Sequence, residues 1–247
     1  MSRKDVLQAL GIDRWVRRDG EHAFDPRPQA QPVVPDLDGP DAEGVAAQPM
    51  AAEPVAGLDW PALERRVAEC SLCGLHARRT QTVFGVGDRS ARLFVVGEAP
   101  GAEEDRQGEP FVGRAGQLLN AMLRAIGLDR RHVFIANVLK CRPPHNRDPQ
   151  GGEVAACLPY LERQIELVDP AVILCVGRIA AQNLLGTDAP LARLRGEIHR
   201  LGPAARPLIV TYHPAYLLRT PTDKARAWLD LVRVRDLLAE LPVAPEQ

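Results

Sequence analysis

Residues 97–116 read GEAPGAEEDRQGEPFVGRAG, set between an apolar run, RLFVV, and a helix-like run, QLLNAMLRAI. Five glycines and two prolines let this loop turn tightly and bring backbone close to a ligand. Five carboxylates crowd it (Glu98, Glu103, Glu104, Asp105 and Glu109), with one phenylalanine, Phe111, among them. Two more polar residues close apolar runs elsewhere: Asn137 in HVFIANVL and His213 in RPLIVTYHP. Carboxylate and imidazole can move protons, a carboxamide both donates and accepts, and an aromatic face can stack on a planar ring. Taken singly, each has a plain structural reading: a core phenylalanine, a turn-capping asparagine, a buried histidine. His22, His76, His132, His145 and His199 receive that structural reading.

The cysteines form a second constellation. Cys70 and Cys73 are spaced CxxC, Cys141 and Cys157 are separated by fifteen residues, and Cys175 lies inside AVILCVG, where it reads as a small buried hydrophobe. CxxC puts two thiolates within reach of one metal. The wide second spacing leans toward an iron–sulfur cluster over a zinc ribbon. A zinc site and unrelated core cysteines both remain compatible with spacing alone.

These groups need a frame, and the chain supplies one by alternation. Strand-like apolar runs at 92–97, 132–139, 171–177 and 206–214 are separated by helix-like stretches at 113–127, 153–168 and 178–186, with a last helix at 223–241. Continuous apolar runs mark strands covered on both faces, and strand–helix alternation gives a parallel sheet. The expected fold is therefore α/β: a three-layer α/β/α sandwich around a mostly parallel four-stranded sheet. In such sheets the ligand crevice lies beyond the carboxyl ends of the strands. That places Glu98, Asn137 and His213 around one crevice. GEAPG does not match G-x-G-x-x-G, which argues against a dinucleotide binder.

Composition narrows the partners. Net charge is −1, but residues 1–60 hold six basic and eleven acidic residues, whereas the remainder is net +4. A mildly basic globular part permits a nucleic-acid partner. No apolar stretch is long enough to cross a bilayer and the first residues lack a secretion signal, so a reducing cytoplasm is expected. Residues 25–58 contain seven prolines and few large apolar side chains, the composition of a disordered linker. The expected organisation is a docking peptide or short helix at 1–24, the linker at 25–58, and a folded domain at 59–242.

GEAPGAEEDRQGEPFVGRAGQLL, IANVLKCRPPHNRDP and YHPAYLLR, with the Cys70/Cys73/Cys141/Cys157 pattern, closely resemble the family 4 uracil-DNA glycosylases. These are the iron–sulfur members of the uracil-glycosylase superfamily. The resemblance implies a [4Fe–4S] cluster on those four cysteines and hydrolysis of the uracil–deoxyribose bond in DNA, the step that starts base excision repair. It implies that Phe111 stacks on the flipped pyrimidine, that Asn137 reads its edge, and that His213 stabilises the uracil anion. Glu98, Ala99 and Gly101 would line the uracil pocket. The best-known branch of the superfamily has an aspartate where this chain has Ala99, and an aromatic residue where it has Gly101. Glu98 or Glu104 is then expected to supply the missing water-orienting group. Arg114, Arg142, Arg147, Arg195 and Arg219 are candidate phosphate contacts, and Leu217 the wedge that enters the minor groove. The pocket motifs are expected to hold no lysine that could form a Schiff base, so a monofunctional enzyme without a lyase step is expected.

The first residues, SRKDVLQALGIDRWVRR, resemble more weakly the N-terminal peptide of the clamp-loader psi subunit. That resemblance implies a replisome partner for residues 1–24, tethered by the linker, in an otherwise monomeric, nucleoid-associated protein. The competing function is a non-catalytic iron–sulfur or zinc module that binds DNA or a replication protein. Such a module has no need of Phe111, Asn137 and His213 around one pocket.

Overall fold

The computed structural model describes residues 55–241. The expected docking peptide at 1–24, and the linker as far as residue 54, lie outside the described residues. The folded part begins earlier than residue 59: Val55 and Leu58 pack against the core, and the Leu58 carbonyl accepts from Arg163 Nε at 2.7 Å. Asp59 then caps helix α1 (Trp60–Ala68), its carboxylate accepting from the Ala62 amide.

The sheet has six strands among the described residues: β1 (Val86–Gly87), β2 (Leu93–Gly97), β3 (Val133–Asn137), β4 (Val172–Val176), β5 (Ile198–Leu201) and β6 (Arg206–Thr211). Their order is β1-β3-β2-β4-β6-β5. The four inner strands are the four expected ones, and they run parallel. The two outer strands, β1 and β5, pair antiparallel and correct the expected count. Neither carries an apolar run: β1 has two residues, and β5 alternates exposed with half-buried positions.

Every residue of β2, β3 and β4 is buried. Alternate side chains of each strand enter one of two cores. Phe94, Val96, Phe134, Ala136, Ile173 and Cys175 pack against α1, α4 (Gly151–Val168) and α5 (Arg178–Leu185). Leu93, Val95, Val133, Ile135, Val172 and Leu174 pack against α3 (Arg114–Ala125) and α8 (Lys224–Glu240). This is the expected α/β/α sandwich. Two short helices stand at the crevice end, α2 (Ala102–Gln107) and α7 (Pro214–Arg219), with a one-turn α6 (Leu191–Leu194) before β5. Among the described residues no helix is long and apolar enough to cross a membrane.

Candidate active site

The crevice is built where β2 and β3 end together. Gly97 and Asn137 are register partners, the last residues of their strands. A Cβ on Gly97 would lie 2.3 Å from Asn137 Oδ1 and 2.6 Å from the Phe111 ring, so only glycine lets amide and ring meet over the strand end. The His213 ring closes the other side, its centroid 5.7 Å from that of Phe111 and tilted 31° to it. Phe111 therefore stands against both Asn137 and His213, three residues separated by up to 102 positions in the sequence.

The polar groups there are unusual. Asn137 is 1 % exposed, and its Oδ1 is buried without a hydrogen-bond partner. Buried acceptors are normally paired, so an orphan at the carboxyl ends of β2 and β3 is a place for a ligand's N–H. His213 caps α7, with Nδ1 accepting from the Ala215 amide at 3.1 Å. That bond fixes the tautomer: Nδ1 carries the lone pair and Nε2 carries the hydrogen. Burial, helped by the positive charge of Arg219, pushes the His213 pKa down to about 4, so near neutral pH the ring is an uncharged donor. Burial, with the negative charge of Asp148 and against the pull of Arg178, raises Glu98 to about 7. Glu98 is thus a base poised near neutrality. Glu104 is different. Its carboxylate is committed to backbone amides, of Gly101 at 3.1 Å, Val112 at 3.0 Å and Gly113 at 3.3 Å. That arrangement holds the loop, and it leaves Glu98 as the stronger candidate for orienting water.

Lys140, inside IANVLKCRPPHNRDP, corrects the expectation that the pocket motifs hold no lysine. It is 1 % exposed, and its Nζ donates to the Asn137 carbonyl at 2.8 Å and to Gln164 Oε1 at 2.6 Å. It braces the end of β3 from below.

Cys70, Cys73, Cys141 and Cys157 line one pocket, with Leu139, Arg79 and Tyr160 beside them. Among the described residues no three His, Cys, Asp or Glu side chains are gathered as a single metal ion would need. Burial pushes the Cys157 thiol up to about 12 and raises Cys141 as well. Donors already face these sulfurs: Arg79 Nη1 lies 3.3 Å from Cys141 Sγ and the Lys140 amide 3.2 Å from Cys157 Sγ. Arg79 also bonds the carbonyls of Ala68 and Cys70, stapling the CxxC segment in place. Cys175 is fully buried in β4, as expected.

Residues 84–233 match the family model of the uracil DNA glycosylase superfamily. The chain belongs to that superfamily. It is 46 % identical over 180 residues to the type-4 uracil-DNA glycosylase of Archaeoglobus fulgidus, covering 70 % of this chain and 90 % of that one. It is 45 % identical over 166 residues to the type-4 uracil-DNA glycosylase of Thermotoga maritima, covering 66 % and 85 %. The type-4 uracil-DNA glycosylase of Pyrobaculum aerophilum is 42 % identical over 180 residues, with 70 % and 92 % covered.

In this member of the superfamily the residues expected to touch DNA divide sharply. Arg114, at the start of α3, and Arg219, at the end of α7, are exposed near the crevice. Arg142 donates to Asn146 Oδ1 and stays partly open. Arg147 is engaged by both oxygens of Glu153, at 2.9 and 2.6 Å, so its fork is occupied. Arg195, expected as a phosphate contact, is instead paired with buried Asp230 at 2.7 Å, and its guanidinium lies 4.0 Å from the Tyr212 ring centroid. Leu217 is 1 % exposed and packs in the core, whereas the next residue, Leu218, is 37 % exposed. The helical turn of α7 decides which of the two faces outward, and a one-residue shift of face cannot be read from YHPAYLLR alone.

Proposed function

We propose that this superfamily member releases uracil from DNA by hydrolysing its N-glycosidic bond, as its type-4 relatives are named for doing. The observation that carries the reading is the orphaned, buried Oδ1 of Asn137 beside the rings of Phe111 and His213. An enzyme acting on a base must take it out of the stack into such a pocket. Phe111 then stacks on the pyrimidine. Asn137 accepts from N3–H and donates to O4; cytosine inverts both polarities and leaves buried groups unpaired. The His213 Nε2–H donates to O2, where negative charge grows as the bond breaks. Glu98 holds the attacking water and takes its proton. The water oxygen bonds to C1′ and the N1–C1′ electron pair leaves with uracil. Leu218 is the exposed leucine of the segment and replaces Leu217 as the proposed wedge. Of the two described lysines, Lys140 is buried and tied to Asn137 and Gln164, and Lys224 starts α8, which supports hydrolysis without a Schiff base.

Cys70, Cys73, Cys141 and Cys157 would hold a [4Fe–4S] cluster: the four line one pocket, and N–H donors already face two of the sulfurs. Bound there, the cluster would supply a cross-link among the CxxC segment, the end of β3 and α4. The test is one anaerobic purification. The expected result is uracil release from a uracil-containing oligonucleotide, together with about four irons per chain, lost in Cys157→Ser. A chain that is active but contains one zinc and no iron would overturn the cluster while leaving the glycosylase reading intact.

The peptide at 1–24 is proposed to dock on a replisome protein, with the monomeric enzyme tethered behind it. A synthetic 1–24 peptide is expected to capture a clamp-loader subunit in a pull-down; retention of none would remove the proposal.

A further inference from the structure

Phe111 stands at φ 55°, in the left-handed region. A bulky residue there is a genuine outlier, and such strain persists only where the surroundings over-determine it. Here they do so from both sides. The carbonyls of Pro110 and Phe111 accept from the two terminal nitrogens of Arg130, at 2.5 and 3.3 Å. The amides of the next two residues, Val112 and Gly113, donate to one oxygen of Glu104. Cation on carbonyls and anion on amides grip the same short stretch. The Phe111 carbonyl is pressed against the start of α3 so closely that a Cβ on Gly116 would lie 1.7 Å from it.

Arg130 has both terminal nitrogens committed to the backbone of the Phe111 loop. It precedes β3, the strand whose far end carries Asn137, and Glu109 approaches it at only 4.0 Å. Its planar fork spans two successive carbonyls, which an ammonium cannot do. We propose that Arg130, with Glu104, is a positioning residue: it locks the backbone of Phe111 in the conformation that lays the ring over Gly97 between Asn137 and His213. This rests on reading Phe111 as the base platform. Loop, strand and platform thereby become one unit.

The test uses the full chain in a double-mutant cycle: wild type, Arg130→Met, Phe111→Ala and the pair, with Arg130→Lys as the conservative variant. Single-turnover uracil release should fall about 10–100-fold in Arg130→Met, because small misplacements of a positioning group cost that much. Affinity for the same oligonucleotide carrying a non-hydrolysable uracil analogue should change less than about threefold, as expected for a residue that acts through Phe111 and not on the DNA itself. Arg130→Lys should recover part of the rate. In the Phe111→Ala background, Arg130→Met should cost less than about twofold, since a residue acting through another has nothing left to position. An equal fold-loss in both backgrounds would overturn the proposal, as would a wild-type rate in Arg130→Met. If Arg130→Met does not fold, the same cycle is run with Arg130→Lys. A second readout is independent of activity. In fluorophenylalanine-labelled protein, with its line assigned by Phe111→Leu, the Phe111 ¹⁹F signal should be single and sharp in wild type and shifted or broadened in the Arg130 variant. An unchanged line would sink the clamp even if the wild type released no uracil, and an inactive wild type with a shifted line would sink the glycosylase reading alone.

Discussion

His213→Ala should slow single-turnover uracil release by about 10²–10³-fold, the usual cost of deleting one donor aimed at developing negative charge. The geometry explains why so much should rest on one ring. The Ala215 amide takes up Nδ1, so the single hydrogen sits on Nε2, and burial keeps the ring uncharged. A neutral donor in a desolvated pocket strengthens its bond as the anion forms and costs no reorganisation at that moment. The same assignment predicts the pH profile. With His213 near 4, its titration leaves no limb between pH 5 and 9. Glu98, raised to about 7, must be ionised to take the proton of water. The rate should therefore fall as pH drops below about 7, and Glu98→Gln should abolish that limb while lowering the plateau. The linkage runs in the opposite direction for stability. A carboxyl whose folded pKa is raised contributes stability below its unfolded value and loses it as pH rises through 7, so the pH that favours catalysis disfavours the fold locally. A profile whose acid limb survives in Glu98→Gln would remove Glu98 from the role.

Asn137→Ala should separate activity from stability. An unpaired buried polar group costs about 1–3 kcal/mol, so losing both bonds to the base should cut uracil release by roughly 10–100-fold and narrow the preference for uracil over cytosine. Stability should not follow. In the free protein the Asn137 Oδ1 is already buried without a partner, and alanine removes that desolvated acceptor. The melting temperature is expected to stay level or rise, the trade expected of a side chain kept for a ligand. A fall of several degrees with unchanged base preference would mean that Asn137 serves only to finish β3.

Much of this molecule is legible from one dimension. The inner strands are buried on both faces, so they must be written as unbroken apolar runs, and their alternation with helices leaves few topologies. Once the sheet is parallel, the carboxyl ends of its strands point one way, and Glu98, Asn137 and His213 follow as neighbours. The two edge strands escape notice because an edge buries too little to leave an apolar signature. What the tertiary structure alone decides is what each charged or apolar side chain is busy with. Arg195, Arg147 and Arg130 are the same residue type on polar stretches, yet one is paired with a buried carboxylate, one is held by Glu153, and one grips the backbone under Phe111. Glu98 and Glu104 lie six positions apart, yet only Glu98 is left without amides to satisfy and is driven toward neutrality by burial. Residue type records what a side chain is able to do; its exposure and partners, which depend on contacts from distant parts of the chain, determine what it does.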